Sequence, residues 1–129
     1  MTFGNHDSES FMNKTDFLDA LEEYSFFIGG TESDKWYDAK IFPAAESDAI
    51  PGADDYAGNF SIPIYDNSGT QILYNVFVLD TGSYVLSASA PYLSITEEQT
   101  EWYLERSLEL EADSGSVVPA VMFTHIPFI

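Results

Sequence analysis

The sequence predicts an α/β fold with a mixed β-sheet that contains one hairpin and one strand–helix–strand crossover. Two apolar runs, residues 59–65 and Ile72–Leu79, flank a turn sequence rich in Asp, Asn, Ser and Gly and predict the hairpin. A helix signal that begins at Thr96 separates the second run from a third apolar run, residues 117–124. A strand, a helix and a strand in this order are typical of a crossover between parallel strands.

The first part of the chain predicts one helix followed by an irregular surface segment. Thr15 is suited to cap a helix that extends to about Tyr24, and the pair Gly29-Gly30 favours its end. Residues 31–58 carry many acidic side chains with scattered Pro and Gly, so we predict mainly irregular structure there. The apolar face of the helix would be formed by Phe17, Leu18 and Leu21, and the irregular segment would be anchored by Phe26, Trp36, Tyr37 and Phe42.

The later elements carry clearer signals. Pro63 predicts an edge or bulged strand for the first arm of the hairpin, because proline lacks the N–H group that a central ladder uses. The second arm is continuously apolar, so we expect it to be central and covered on both faces.

Thr96 and Gln99 match a capping box, and the helix that follows should extend to about Ala112. The last strand is also predicted to be buried. It carries His125 at its carboxyl end, where ligands gather in α/β sheets.

Composition indicates a single domain, residues 1–129, with a substantial core. Hydrophobic residues make up 45% of the chain and aromatic residues 16%, which is unlike an acidic disordered tail. The net charge of −18 repels nucleic-acid phosphates and anionic membranes, so we expect neither as a partner. The chain has no cysteine, which excludes disulfides and thiolate metal sites. Residues 1–7 have neither a basic nor an apolar stretch, so we expect no signal peptide there.

The two histidines of the chain stand out as candidates for chemistry. His6 belongs to the segment Gly4-Asn5-His6-Asp7, and His125 follows the predicted last strand. Each has a plain structural interpretation when it is taken alone. A Gly-Asn-His-Asp segment forms polar turns, and a single histidine commonly closes a strand.

Together these segments resemble the calcineurin-like metallophosphoesterase family, and more narrowly its purple-acid-phosphatase-related branch. The resemblance implies a partial sandwich of the metallophosphoesterase type, in which this chain is the middle-to-late part of the catalytic domain. The segments that carry it, in order along the chain, are Thr2-Phe3-Gly4-Asn5-His6-Asp7, Gly58-Asn59-Phe60-Ser61, Leu79-Asp80-Thr81-Gly82-Ser83-Tyr84, Gln99 with Trp102, Pro119-Ala120 and His125-Ile126-Pro127.

The resemblance implies a role for each candidate residue. Asn5 and His125 would be ligands of one metal ion, and a neutral amide and imidazole suit Fe, Mn or Zn. His6 would contact the substrate phosphate and protonate the leaving alkoxide, while Asp7 would fix the tautomer of His6 and raise its basicity. In a complete enzyme two such ions, about 4 Å apart, hold the attacking and leaving oxygens of the phosphate ester.

The sequence also departs from the family pattern. The Asp-x-His, Gly-Asp-x-x-Asp and Gly-His-x-His segments of the family, which supply the other ligands, do not occur among the 129 residues. We therefore expect a fragment of a phosphatase, with phosphate monoesters ahead of diesters as substrates of the parent enzyme. The chain alone is expected to be inactive and to hold no metal ion tightly. It is also expected to form a homo-oligomer through an exposed sheet edge or apolar face.

An interpretation from another class remains open. The chain would then be a non-catalytic acidic binding or interaction module, with weak calcium binding on its acidic surface. No spacing among its acidic residues matches a calcium-binding loop of the Asp-x-Asp-x-Asp-Gly kind.

Overall fold

A computed structural model describes residues 2–4, 6–7, 11–34, 36–44, 55–84 and 92–127. The elements in chain order are α1 (Lys14–Glu22), β1 (Asp38–Phe42), β2 (Tyr56–Tyr65), β3 (Ile72–Leu79), α2 (Glu97–Ser114) and β4 (Ala120–Thr124). The four strands form one sheet in the order β1-β2-β3-β4. This architecture confirms the predicted α/β class with a mixed sheet.

The sheet contains the predicted hairpin and the predicted crossover. β2 and β3 are antiparallel and are joined by the turn at Asp66, whose carboxylate accepts the N–H groups of Thr70 and Gln71. β3 and β4 are parallel, and α2 connects them. Since Leu79 pairs with Thr124, the chain leaves both strands at the same edge of the sheet.

The two helices cover opposite faces of the sheet. Leu18 of α1 packs with Phe60 and Val78 on one face, and Trp102 of α2 packs with Phe77 on the other. Neighbouring residues of β3 thus contribute to two different clusters, which confirms that this part of β3 is central and covered on both faces.

The boundaries of α2 follow the predicted signals closely. The capping box is present, because the Thr96 hydroxyl accepts the N–H of Gln99 and the Gln99 side chain accepts the N–H of Thr96. The helix ends at Ser114, two residues later than predicted, and Gly115 caps it with φ 72°.

The first helix differs from its prediction at both ends. Asn13, and not Thr15, is the cap, since its side chain accepts the N–H of Asp16 at 2.8 Å. The helix ends at Glu22, well before Gly29-Gly30. A Cβ on Gly30 would collide with the Glu22 side chain, so this glycine permits the chain to return close to the helix.

The prediction for residues 31–58 was wrong in two respects. Residues Asp38–Phe42 form β1, which pairs antiparallel with β2, and β2 itself begins at Tyr56. Phe42 is buried, but Phe26 is 96% and Trp36 56% exposed, so neither of these two is a core residue.

β4 was expected to be buried and is an exposed edge strand. It pairs with β3 on one side, and among the described residues no strand pairs with its other side. Val121 is 43% exposed and Phe123 53%. β2, predicted from Pro63 to be an edge or bulged strand, is not an edge strand, because it lies between β1 and β3, but its ladder with β3 shifts register between Ile64 and Tyr65. Pro63 lies beyond the end of the β1 pairing, so its missing N–H group breaks no ladder bond to β1.

Within the part of the chain that the structure describes, neither helix is both long and apolar enough to cross a membrane.

Candidate functional site

The candidate residues gather at the edge of the sheet where β3 and β4 end. His125 follows the last residue of β4, and Asp80 follows the last residue of β3. Because the two strands are parallel and in register, these two residues leave the sheet side by side. The predicted location of His125 at a strand end is therefore confirmed.

Gly4, the first residue of the Gly-Asn-His-Asp segment, lies against His125. A Cβ atom built on Gly4 would be 2.9 Å from Nε2 of the imidazole and 3.0 Å from Cε1. Gly4 is also the one glycine among the described residues that does not have a positive φ. Its backbone conformation is thus open to other residues, and the close approach of His125 is the physical reason for a glycine here.

Asn5, the second predicted metal ligand, lies outside the described residues. Its neighbours on both sides, Gly4 and His6, are described. The role of Asn5 as a metal ligand therefore stays a prediction.

His6 makes a contact that the sequence did not indicate. The Tyr84 hydroxyl and Nε2 of His6 are 3.1 Å apart, and the two rings meet edge to face at 5.7 Å. Tyr84 also contacts the ring of Tyr92 at 5.5 Å. A tyrosine after a turn belongs to no periodic pattern, so the local sequence does not predict a contact between Tyr84 and residue 6.

Asp7 helps to shape the segment. Its Oδ2 atom accepts the N–H of Gly4 at 2.5 Å, and its own N–H donates to the Gly4 carbonyl at 3.2 Å. These bonds close the segment into a tight turn with His6 exposed at its tip. The role of Asp7 in orienting the His6 ring stays a prediction.

A buried ion pair lies directly behind this edge. The Lys14 ammonium is 2.7 Å from Oδ2 of Asp80, and both side chains are almost fully buried. Asp80 also accepts the N–H groups of Ala57 at 3.1 Å and Gly82 at 2.9 Å. Burial raises the pKa of the Asp80 carboxyl, and the Lys14 ammonium acts in the opposite direction.

The same network extends to α2. Nε2 of Gln99 donates to Oδ1 of Asn59 at 2.8 Å and to the Asp80 carbonyl at 2.7 Å. Oδ1 of Asn59 also accepts the N–H of Asp80 at 3.1 Å. The sequence identified Gln99 as part of a capping box and, with Trp102, as part of the family resemblance. Its role in the network depends on long-range contacts that no local pattern contains.

The described residues do not by themselves fit a complete metal centre. No group of three or more His, Asp or Glu side chains among them is arranged to hold an ion. His125 is a suitable ligand, but a stable transition-metal site requires about three or four. A role for His125 as a metal ligand therefore stays a prediction.

Comparisons with protein-family models, with curated proteins and with solved structures find no match for this chain. The family resemblance thus depends on the motif residues of the sequence alone and stays a prediction.

Proposed function

We propose that this chain is part of a calcineurin-like metallophosphoesterase domain of the purple-acid-phosphatase-related branch, and that it contributes one corner of a two-metal site. The contact between His125 and Gly4 carries the proposal. It joins the two segments that the family resemblance requires to meet, although they come from distant parts of the sequence.

The chain's own residues divide into two groups in this proposal. Asn5 and His125 bind one metal ion, and His6 faces the substrate phosphate. His6 is exposed at the tip of its turn, so a phosphate ester can reach its ring. A protonated His6 can deliver a proton to the leaving alkoxide, and the Tyr84 hydroxyl at 3.1 Å holds the ring.

The charge of the chain supports a role for cations in this site. The net charge is −18, with only four basic residues, and the ammonium of Lys14 is paired with Asp80 in the interior. A phosphate dianion would therefore be repelled unless metal ions reverse the local sign. The family segments that supply the remaining ligands do not occur in the sequence, so we expect the isolated chain to hydrolyse no phosphate ester.

The test is a zinc titration followed through the nitrogen signals of the imidazole rings and the side-chain amide signals of asparagine. Since the chain has two histidines, their ring signals are readily assigned through His6→Gln and His125→Gln. Zn²⁺ should shift the signals of His125 and Asn5 with one common Kd and leave His6 less affected. In His125→Gln the Asn5 response should weaken at least tenfold.

Calcium is the matched control because it prefers carboxylate oxygens. If Zn²⁺ and Ca²⁺ shift the same carboxylate signals and neither shifts His125, the chain is an acidic binding module and the proposal is wrong. Sequencing of the adjoining coding DNA gives an independent check. In-frame Asp-x-His and Gly-Asp-x-x-Asp segments upstream would support the proposed ancestry.

A further inference from the structure

The end of β3 receives a hydrogen bond from each of the two segments that form the candidate site. The Thr2 hydroxyl donates to the Leu79 carbonyl at 3.1 Å, just before the Gly-Asn-His-Asp segment. The N–H of Ile126, the residue after His125, donates to the Thr81 hydroxyl at 3.1 Å. Two segments from distant parts of the sequence are thus attached to neighbouring residues of one strand end.

We propose that Thr81 is a positioning residue that fixes His125 against Gly4. The inference rests on the proposed function for its metal chemistry, but the geometry it predicts can be measured without metal. Thr81 is 2% exposed, and its hydroxyl oxygen is the acceptor for the Ile126 N–H.

His125 lies just beyond the sheet. It is an exposed residue, and β4 has already ended at Thr124, so the β3–β4 ladder does not extend to its backbone. Residue 127 is a proline and cannot donate a hydrogen bond from its backbone nitrogen. Of residues 126 and 127, Ile126 alone therefore has a backbone donor, and this N–H donates to the Thr81 hydroxyl.

Thr81 can act in this way because the preceding residue is immobilised. The Asp80 side chain is fixed by Lys14, Ala57 and Gly82, and the Asp80 carbonyl accepts from Gln99. A fully paired polar network in a low-dielectric interior is rigid. The Asp80 network thus supports Thr81, and Thr81 supports the backbone beside His125.

The experiment compares wild type with Thr81→Val, which keeps the side-chain shape and removes the acceptor, and with Thr81→Ser, which keeps the acceptor. The first readout is the nuclear Overhauser effect between the Gly4 Hα protons and the His125 ring protons. It should fall at least threefold in Thr81→Val and recover in Thr81→Ser. Ser107→Ala, which removes a remote hydroxyl on α2, should leave it unchanged.

The second readout is the Kd for Zn²⁺ measured on the His125 ring signals. Loss of a group that orients a metal ligand typically weakens metal binding by ten- to a hundredfold, so we expect at least about tenfold for Thr81→Val. If wild-type His125 does not respond to Zn²⁺, the proposed function fails while the Overhauser effect still tests the positioning. If Thr81→Val folds and keeps both the Overhauser effect and the Kd, the positioning role is overturned.

A measurement on wild type alone covers the case in which Thr81→Val does not fold. The Ile126 amide should exchange with solvent at least a hundredfold more slowly than in an unstructured peptide. Exchange of the Ile126 amide at the unstructured rate would overturn the inference.

Discussion

Nε2 of His125 lies 2.9 Å from the point that a Cβ atom on Gly4 would occupy. Real Cβ contacts are essentially never this short, so an alanine at position 4 would require the imidazole or the segment to move. Since Gly4 does not have a positive φ, the substitution adds little backbone strain. Gly4→Ala therefore tests the contact itself.

We expect Gly4→Ala to displace the His125 ring and to weaken the response of His125 to Zn²⁺ by at least tenfold. The free energy of unfolding should change by less than about 2 kcal/mol, because the contact lies at the surface. The measurement is the shift of the ring nitrogen signals, with chemical denaturation run in parallel. Glu105→Ala on the exposed part of α2 is the control, and a ring signal equally unchanged in both variants would contradict the prediction.

The buried ion pair between Lys14 and Asp80 should be a major determinant of stability. Lys14→Met leaves the Asp80 carboxylate buried without its cation, which typically costs about 3–5 kcal/mol. Adding Asp80→Asn should restore part of the loss, because no uncompensated charge is then buried. Urea denaturation of wild type, Lys14→Met and the double variant measures both effects.

The exposed pair Arg106–Glu109 provides the control for this prediction. The Glu109 side chain is 63% exposed, so Glu109→Gln should cost less than about 1 kcal/mol. If Lys14→Met and Glu109→Gln lower the free energy of unfolding by similar amounts, burial does not strengthen the Lys14–Asp80 interaction and the prediction is wrong.

The turn between β2 and β3 should contribute a pH-dependent part of the stability. The Ser68 hydroxyl and the N–H groups of Gln71 and Thr70 hold the pKa of Asp66 below its ordinary value. A lowered folded-state pKa stabilises the protein above the unfolded-state pKa of about 3.9, and the contribution is lost as the pH falls through the folded-state pKa. The gap in Tm between wild type and Asp66→Asn should therefore be largest above about pH 4 and close at lower pH. A difference in Tm that is independent of pH would contradict this prediction. When Asp66→Asn is made in a Ser68→Ala background, the difference in Tm should be smaller.

We expect the chain to self-associate through the β4 edge. Val121 and Phe123 are exposed on this edge, and residues 117–127 contain no charged Asp or Glu in a chain of net charge −18. The edge is thus an apolar region at which two copies of the chain repel each other electrostatically less than elsewhere on their surfaces. Size-exclusion chromatography with light scattering should show a dimer or larger species for wild type and Val121→Thr. Val121→Lys should give a monomer, whereas a wild-type monomer at high concentration would contradict the prediction.

The sequence was most informative where local signals and long-range packing agree. The hairpin around Asp66 and the capping box of Thr96 and Gln99 were predicted from residues that act on near neighbours, and both are present. β1 was missed because its five residues, Asp38–Phe42, include two charged side chains and pair with a strand that lies much later in the chain. Its stability comes from the β2 ladder and from the burial of Phe42.

The candidate site was predictable only in part. The segment Gly4-Asn5-His6-Asp7 and the strand-end His125 can be read from the sequence, and the structure brings Gly4 against His125. The contacts of the supporting residues cannot be read in this way. Asp80, Thr81 and Tyr84 stand in a segment that carries the family resemblance, but their contacts with Lys14, Ile126 and His6 join distant positions, and no local pattern contains these pairings.

The attachment of Thr2 to Leu79 has a consequence for the order of folding. The two residues are 77 positions apart, and the β3–β4 ladder likewise closes over a long intervening segment. Contacts of such long range form late, after the hairpin has nucleated, because the entropy of loop closure must first be overcome. The neighbourhood of His125 should consequently be among the last regions to become protected during refolding and among the first to open.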